Sequence, residues 1–130
     1  MSEPVGSGGQ PALGPFSRPR SRPLSLFPLL SIEPEVTGSR TVLRVEGEVD
    51  LATAPQLDAA IDAAVTSGVR EVCVDLCGTT FMDSSGLHVL VAATRRAAEV
   101  GCELTLVYPP GPVARVIELS GVGELIPRTS

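Results

Sequence analysis

Between residues 41 and 120 the chain alternates three times between a short apolar run of strand length and a longer segment with helical apolar spacing. Few architectures accept that order. A strand, a helix and a second strand of the same sheet join through a right-handed crossover, which makes the strands parallel and lays the helix on a face of the sheet. Thr41 to Gly47 has Thr41, Leu43 and Val45 on one side and Val42, Arg44 and Glu46 on the other, the period of a strand with one buried face. Glu71 to Leu76 holds Val72, Cys73, Val74 and Leu76 in a nearly continuous apolar run, as in a central strand covered on both faces. Glu103 to Val107 repeats that pattern. A further strand near Leu30 to Glu35 pairs with the first through a turn at Thr37-Gly38-Ser39.

The helices carry their own punctuation. Thr53 and Gln56 predict a capping box, with Pro55 in the first turn, where its missing N–H does no harm. Leu57, Ile61 and Ala64 or Val65 then form the apolar stripe, Asp58 and Asp62 face outward, and Gly68 stops the helix. A second helix starts near Ser84, with Leu87, Leu90, Val91, Thr94 and Ala98 on one face, Arg95, Arg96 and Glu99 towards solvent, and Gly101 as its end. After the turn Pro109-Pro110-Gly111, a third helix is lined by Val113, Val116, Ile117 and Ser120 and stopped by Gly121; Glu124 to Ile126 is expected to add a terminal strand. The expected fold is α/β: a mixed sheet of four to five strands with helices mainly on one face, in one domain over residues 31–130. Residues 1–30, rich in Pro, Gly, Ser and Arg, are expected to form a disordered tail. The apolar stretch Leu24 to Ile32 is too short for a membrane span and contains Pro28.

Composition removes several functions. Residues 1–30 hold three arginines against one glutamate, whereas residues 31–130 hold seven arginines against 14 acidic residues, a net charge of −7. An acidic domain with only Phe16, Phe27, Phe81 and Tyr108 as aromatics is a poor partner for nucleic acid, so no direct nucleic-acid binding is expected. There is no Lys, which rules out a Walker-type phosphate loop and Schiff-base chemistry, and His88 is the only His. The odd count of three cysteines, with no signal-peptide pattern and no long apolar run, indicates a cytoplasmic protein that works away from membranes. Cys73, Cys77 and Cys102 lack the paired spacing of a zinc site and are expected as small core residues; Cys73 with Cys102 is the one candidate redox pair, if their strands are neighbours. No cofactor is expected.

The segment that carries chemistry is Phe81-Met82-Asp83-Ser84-Ser85-Gly86-Leu87, the junction of a central strand and an amphipathic helix. Asp83 or Ser84 suits the N-cap. Gly86 costs roughly 1 kcal/mol relative to Ala inside a helix, which makes sense where another backbone must approach closely. His88 stands four residues after Ser84, but there is no Gly-x-Ser-x-Gly elbow and no third orienting group, so the chain is not expected to be an enzyme.

Phe81 to Leu87 resembles the phosphorylation-site motif of the anti-sigma factor antagonists of the STAS family (sulfate transporter and anti-sigma antagonist). Gly47-Glu48-Val49-Asp50 followed by Leu51-Ala52-Thr53-Ala54-Pro55 resembles that family's signature after its second strand, and Leu119-Ser120-Gly121-Val122 is a third, weaker match. The resemblance covers about residues 31–128. It implies a STAS fold and a bacterial partner-switching phosphoprotein of transcription regulation. Ser84 would be the phosphoacceptor, and Asp50, Asp83, Ser85, Gly86 and His88 would contact the partner; His88 stands where the family often has a second Gly. The implied partners are an anti-sigma factor with serine kinase activity, bound when Ser84 is unmodified so that a sigma factor is released, and a PP2C-type phosphatase. The fold also admits a STAS scaffold or a ligand- or nucleotide-sensing module with no sigma-factor role. The acceptor hydroxyl at Ser84 distinguishes the two, since a scaffold has no need of it.

Overall fold

The computed structural model of the chain describes residues 30–129, so nearly all of the expected tail lies outside the described residues. Strands β1 (Ser31–Thr37) and β2 (Arg40–Val49) form an antiparallel hairpin. Its turn uses Gly38 at φ +62°, in the left-handed region that glycine enters without cost. Strand β3 (Glu71–Met82) pairs parallel with β2, and β4 (Glu103–Val107) pairs parallel with β3, giving a mixed sheet of order β1-β2-β3-β4. Helices α1 (Ala54–Val65) and α2 (Ser84–Glu99) make the two crossovers. Helix α3 (Pro112–Ser120) and the single turn α4 (Val122–Leu125) follow β4.

The register fixes which side is core. Leu43, Val74 and Leu106 lie in one row across β2, β3 and β4, and all three are buried. Leu57 and Ile61 of α1, Leu90 and Ala97 of α2 and Ile117 of α3 belong to the same cluster, so the helices cover this face. The opposite row is Arg44, Asp75 and Val107. That side is dressed with polar pairs: Arg44 with Glu35, Arg40 with Glu71, and the Thr105 hydroxyl donating to Glu71 Oε2 at 3.0 Å. The second face of β3, read from the sequence as fully covered, is therefore shielded by neighbouring side chains. Cys73 is 1% exposed there, between Val42 and Thr105.

β3 is twice as long as its apolar run. Opposite β2 it takes up one extra residue between the Arg44 and Glu46 pairs and another between the Gly47 and Glu48 pairs. Each is a β-bulge. The strand can then continue past Leu76 to Met82, and the Thr79 hydroxyl donates to the Val45 carbonyl at 3.0 Å to hold the irregular stretch.

Three sequence expectations need correction. Glu124 to Ile126 is not a strand: Gly121, at φ +84°, ends α3, and the chain turns helical again so that Val122 and Ile126, four residues apart, both bury their side chains. The strand-like contact comes later, where Leu106 bridges Arg128. On α2 the buried residues are Leu87, Leu90, Ala93 and Ala97, whereas Ala98 is exposed and Val91 and Thr94 are half-buried. Finally, Cys73 sits opposite Thr105, and Cys102 lies three residues earlier on that chain, a displacement of about 10 Å along a strand. Cys102 also joins the helix-side core while Cys73 does not. The two cannot bridge, and all three cysteines are free thiols.

Candidate functional site

The carboxyl ends of β2 and β3 are tied together, and this brings the two sequence motifs side by side. Val49 pairs with Met82, and the Asp83 N–H donates to the Val49 carbonyl at 3.2 Å. Asp50 and Asp83 thus leave adjacent strands at the same level, each opening the loop into a helix.

Asp50 organises the entry to α1. Its Oδ1 accepts from the N–H groups of Ala52 at 2.9 Å and Thr53 at 3.0 Å, and its carbonyl accepts from the Ala54 N–H at 2.8 Å. Thr53 is the N-cap by position but makes no side-chain cap bond. Its hydroxyl donates back to the Glu48 carbonyl at 2.7 Å and accepts from the Asp50 N–H at 2.9 Å. Gln56 does not close a capping box either, because its Nε2 donates to the Leu30 carbonyl at 2.7 Å. The expected reciprocal cap is replaced by an Asx turn at Asp50, with Gln56 free to fasten the start of the hairpin.

Asp83 is the N-cap of α2. Its backbone is extended, and its Oδ1 accepts from the Ser85 N–H at 2.8 Å. Its carbonyl accepts from the Gly86 N–H at 3.1 Å and the Leu87 N–H at 3.3 Å. Ser84, the first helical residue, is exposed; Ser85 is half-buried; and His88, one turn on, is exposed. Gly86 is buried. A Cβ there would stand 2.8 Å from Met82 Cγ and 2.8 Å from Val49 Cγ1, so the close approach expected of this glycine is to two core side chains and not to a backbone. It lets α2 settle on the ends of β2 and β3.

Two residues absent from the sequence-based site complete the rim. Leu51 is 79% exposed and Phe81 is 46% exposed, large apolar side chains flanking Asp50 and Asp83. The sequence held the signal: Leu51 falls between the strand alternation and the helical stripe, and Phe81 precedes the buried Met82, so neither had a core position to fill. The surroundings are acidic. No Arg or Lys occurs in residues 45–69 or 71–94, whereas Glu48, Asp50 and Asp83 crowd the rim. The site therefore presents a hydroxyl on a helix N-terminus next to Asp83, with Asp50 and the exposed Leu51 and Phe81 at the paired strand ends. Among the described residues no group of His, Cys, Asp and Glu could hold a metal ion, and no helix is long and apolar enough to cross a membrane.

The fold has relatives among known proteins. A solved anti-sigma factor antagonist from Mycobacterium paratuberculosis superposes with a TM-score of 0.71 at 28% identity, over 76% of this chain and 84% of that one. The Bacillus cell fate determinant SpoIIAA in its phosphorylated form superposes with a TM-score of 0.58 at 28% identity, over 78% of this chain and 91% of that one. In sequence, an anti-sigma F factor antagonist from Lysinibacillus sphaericus is 34% identical over 89 residues, covering 68% of this chain and 76% of that protein. The family model described as Mlab, STAS domain matches residues 32–127, and with the four-stranded mixed sheet backed by helices on one face, the chain belongs to the STAS domain family.

Proposed function

We propose that the chain is an anti-sigma factor antagonist whose binding surface is the rim around Ser84. Unphosphorylated, it binds an anti-sigma factor with serine kinase activity and so frees a sigma factor. Phosphorylated on Ser84, it lets go, and a PP2C-type phosphatase restores it. The reaction is not its own: it is the substrate and the ligand, working in the cytoplasm, and not an enzyme. The observation that carries this reading is the exposed Ser84 at the first position of α2, beside the Asp83 cap. The similarity to anti-sigma factor antagonists supports the choice of partner.

The physics of the switch is a competition. A phosphoserine adds about −1.5 to −2 charge. The N-terminus of α2 attracts it by about 0.3–1 kcal/mol while it stays exposed. In the free protein, water screens the phosphate from Asp83, Asp50 and Glu48, and the fold persists. In a complex the same charges lose their water together, and like charges in a drying interface cost several kcal/mol. A thousandfold loss of affinity needs only about 4 kcal/mol. Asp50 and Asp83 shape the rim through their turns, Ser85 and His88 offer polar contacts beside Ser84, and Gly86 contributes by seating the helix that presents them.

The test is intact-mass analysis of the protein from its native cells beside the Ser84→Ala variant, followed by partner binding. One added phosphate on the wild type and none on the variant is expected. Phosphorylated protein should bind the anti-sigma partner about a thousandfold more weakly. If Ser84→Asp bound that partner as tightly as the wild type does, the switch as described would be wrong.

A further inference from the structure

Asp83 and Ser84 both suit the cap of α2, and only one of them can serve. The place goes to Asp83. Its backbone is extended, at φ −112° and ψ −169°, and its N–H is tied to the Val49 carbonyl at 3.2 Å, so residue 83 still belongs to the end of the sheet. Its Oδ1 takes the Ser85 N–H at 2.8 Å. A carboxylate at a helix N-terminus also gains from the helix dipole as a neutral hydroxyl does not. Ser84 is left as the first helical residue, exposed, with no hydrogen bond from its hydroxyl to any of the described residues. The neighbouring loop shows the other outcome. There Thr53 is the N-cap by position, and its hydroxyl is engaged on both sides, donating to the Glu48 carbonyl at 2.7 Å and accepting from the Asp50 N–H at 2.9 Å. Two hydroxyl residues thus open two neighbouring helices, one consumed by its loop and one free. What separates them is the aspartate, three residues before Thr53 but directly before Ser84.

We propose that Asp83 is a positioning residue: by holding the cap, it keeps the Ser84 hydroxyl out of the helix's own hydrogen bonds and open to phosphoryl transfer. This rests on the reading of Ser84 as the phosphoacceptor, and it gives Asp83 a role that needs no contact with the partner. In the transfer, Ser84 Oγ forms the new O–P bond, the kinase takes the hydroxyl proton, and a nucleoside diphosphate leaves with the electrons of the broken P–O bond. Without the Asp83 carboxylate, the cap passes to Ser84. α2 then starts one residue later, the Ser84 backbone turns extended, and its Oγ folds over the helix end to accept from the Gly86 or Leu87 N–H. Both donors are at hand. They bond the Asp83 carbonyl at 3.1 and 3.3 Å, longer than the common length of about 2.9 Å.

The test is a double-mutant cycle in urea on the full chain, with wild type, Ser84→Ala, Asp83→Ala and the double variant. Ser84→Ala should barely move the wild-type midpoint, because a free hydroxyl holds nothing. In the Asp83→Ala background the same change should lower the midpoint by about 0.5–1 M, the loss of a cap. By NMR, the Ser84 Cα resonance should lie on the helical side of its random-coil position in the wild type and cross to the extended side in Asp83→Ala. Asp83→Asn, a cap of similar strength without the charge, should keep Ser84 helical. Additive urea shifts, or a Ser84 that stays helical in Asp83→Ala, would overturn the proposal. A Ser84 that leaves the helix in Asp83→Asn would also overturn it, assigning the effect to charge. Intact-mass analysis of the two variants from native cells reads the consequence: phosphate should be at least about tenfold scarcer in Asp83→Ala than in Asp83→Asn, and equal phosphate would defeat the positioning role. A coupled cycle with no phosphate even on the wild type would count against the acceptor reading and not against the cap.

Discussion

Gly86 sits on the third residue of a helix, where its backbone freedom is a disadvantage, and it is kept by what surrounds it. Val49 Cγ1 and Met82 Cγ each occupy the space a methyl group would need. Met82 can bend away, but Val49 is β-branched, 0% exposed and fixed in the strand. Gly86→Ala gains up to about 1 kcal/mol of helix propensity and meets an overpacking cost of about 1–3 kcal/mol. We expect a net loss of about 1 kcal/mol, seen as a lower urea midpoint with an unchanged slope. The same displacement moves the first turn of α2, so partner affinity should fall further than stability does. A result in which Gly86→Ala is as stable as the wild type would mean that the seat of the helix is softer than the contacts imply.

Between elements, α1 and α2 are joined across their solvent edge by one arginine. Arg96 Nη2 donates to Asp58 Oδ1 at 2.8 Å, and its Nε lies 3.3 Å from Asp62 Oδ1 without the alignment of a hydrogen bond. Asp58 and Asp62 face outward, as their spacing suggests, yet they are not simply solvated: with Arg96 they close the seam over the two crossovers. All three side chains are partly exposed, which limits the strength of the pairs. Exposed pairs contribute about 0.2–1 kcal/mol each. Arg96→Ala should therefore destabilise the protein by no more than about 1–2 kcal/mol in dilute buffer, counting the stem's packing, and part of that loss should vanish near 1 M salt, where screening is short-ranged. Chemical denaturation with urea at two salt concentrations measures it. A salt-independent loss would assign the effect to packing alone.

In the molecule as a whole, the fold hides two of its three thiols. Cys73 and Cys102 are buried, and burial raises the Cys102 thiol pKa. Cys77 is exposed, but Asp75 beside it holds the thiol protonated and raises its pKa above the usual range. Since the thiolate is the nucleophile, native protein should take up one equivalent of maleimide slowly at neutral pH and faster as the pH rises; Asp75→Asn should speed it, and denatured protein should take up three. Mild oxidation should leave no bond between Cys73 and Cys102, as peptide mapping would show.

The order of elements was legible because each carries a strong period or a clear stop: the alternation from Thr41, the stripe of Leu57 and Ile61, the glycines at 101 and 121. The site was legible as a helix start with a hydroxyl. What escaped depended on tertiary partners. Gln56 chose the Leu30 carbonyl over its own helix, Val122 and Ile126 were drawn into a turn of helix by the core, and the last third of β3 lost its alternation at the two bulges. Those bulges have a consequence for how such a chain can change length. Two extra residues shift β3 by an even number, so the parity broken at the first is restored at the second, and Met82 returns to the core with Phe81 outside. A single insertion or deletion between Leu76 and Phe81 would exchange the two, burying the rim's apolar contact and expelling the residue on which α2 rests. Length here is counted in pairs: by this parity the stretch can grow or shrink by twos and still deliver Ser84 to the surface.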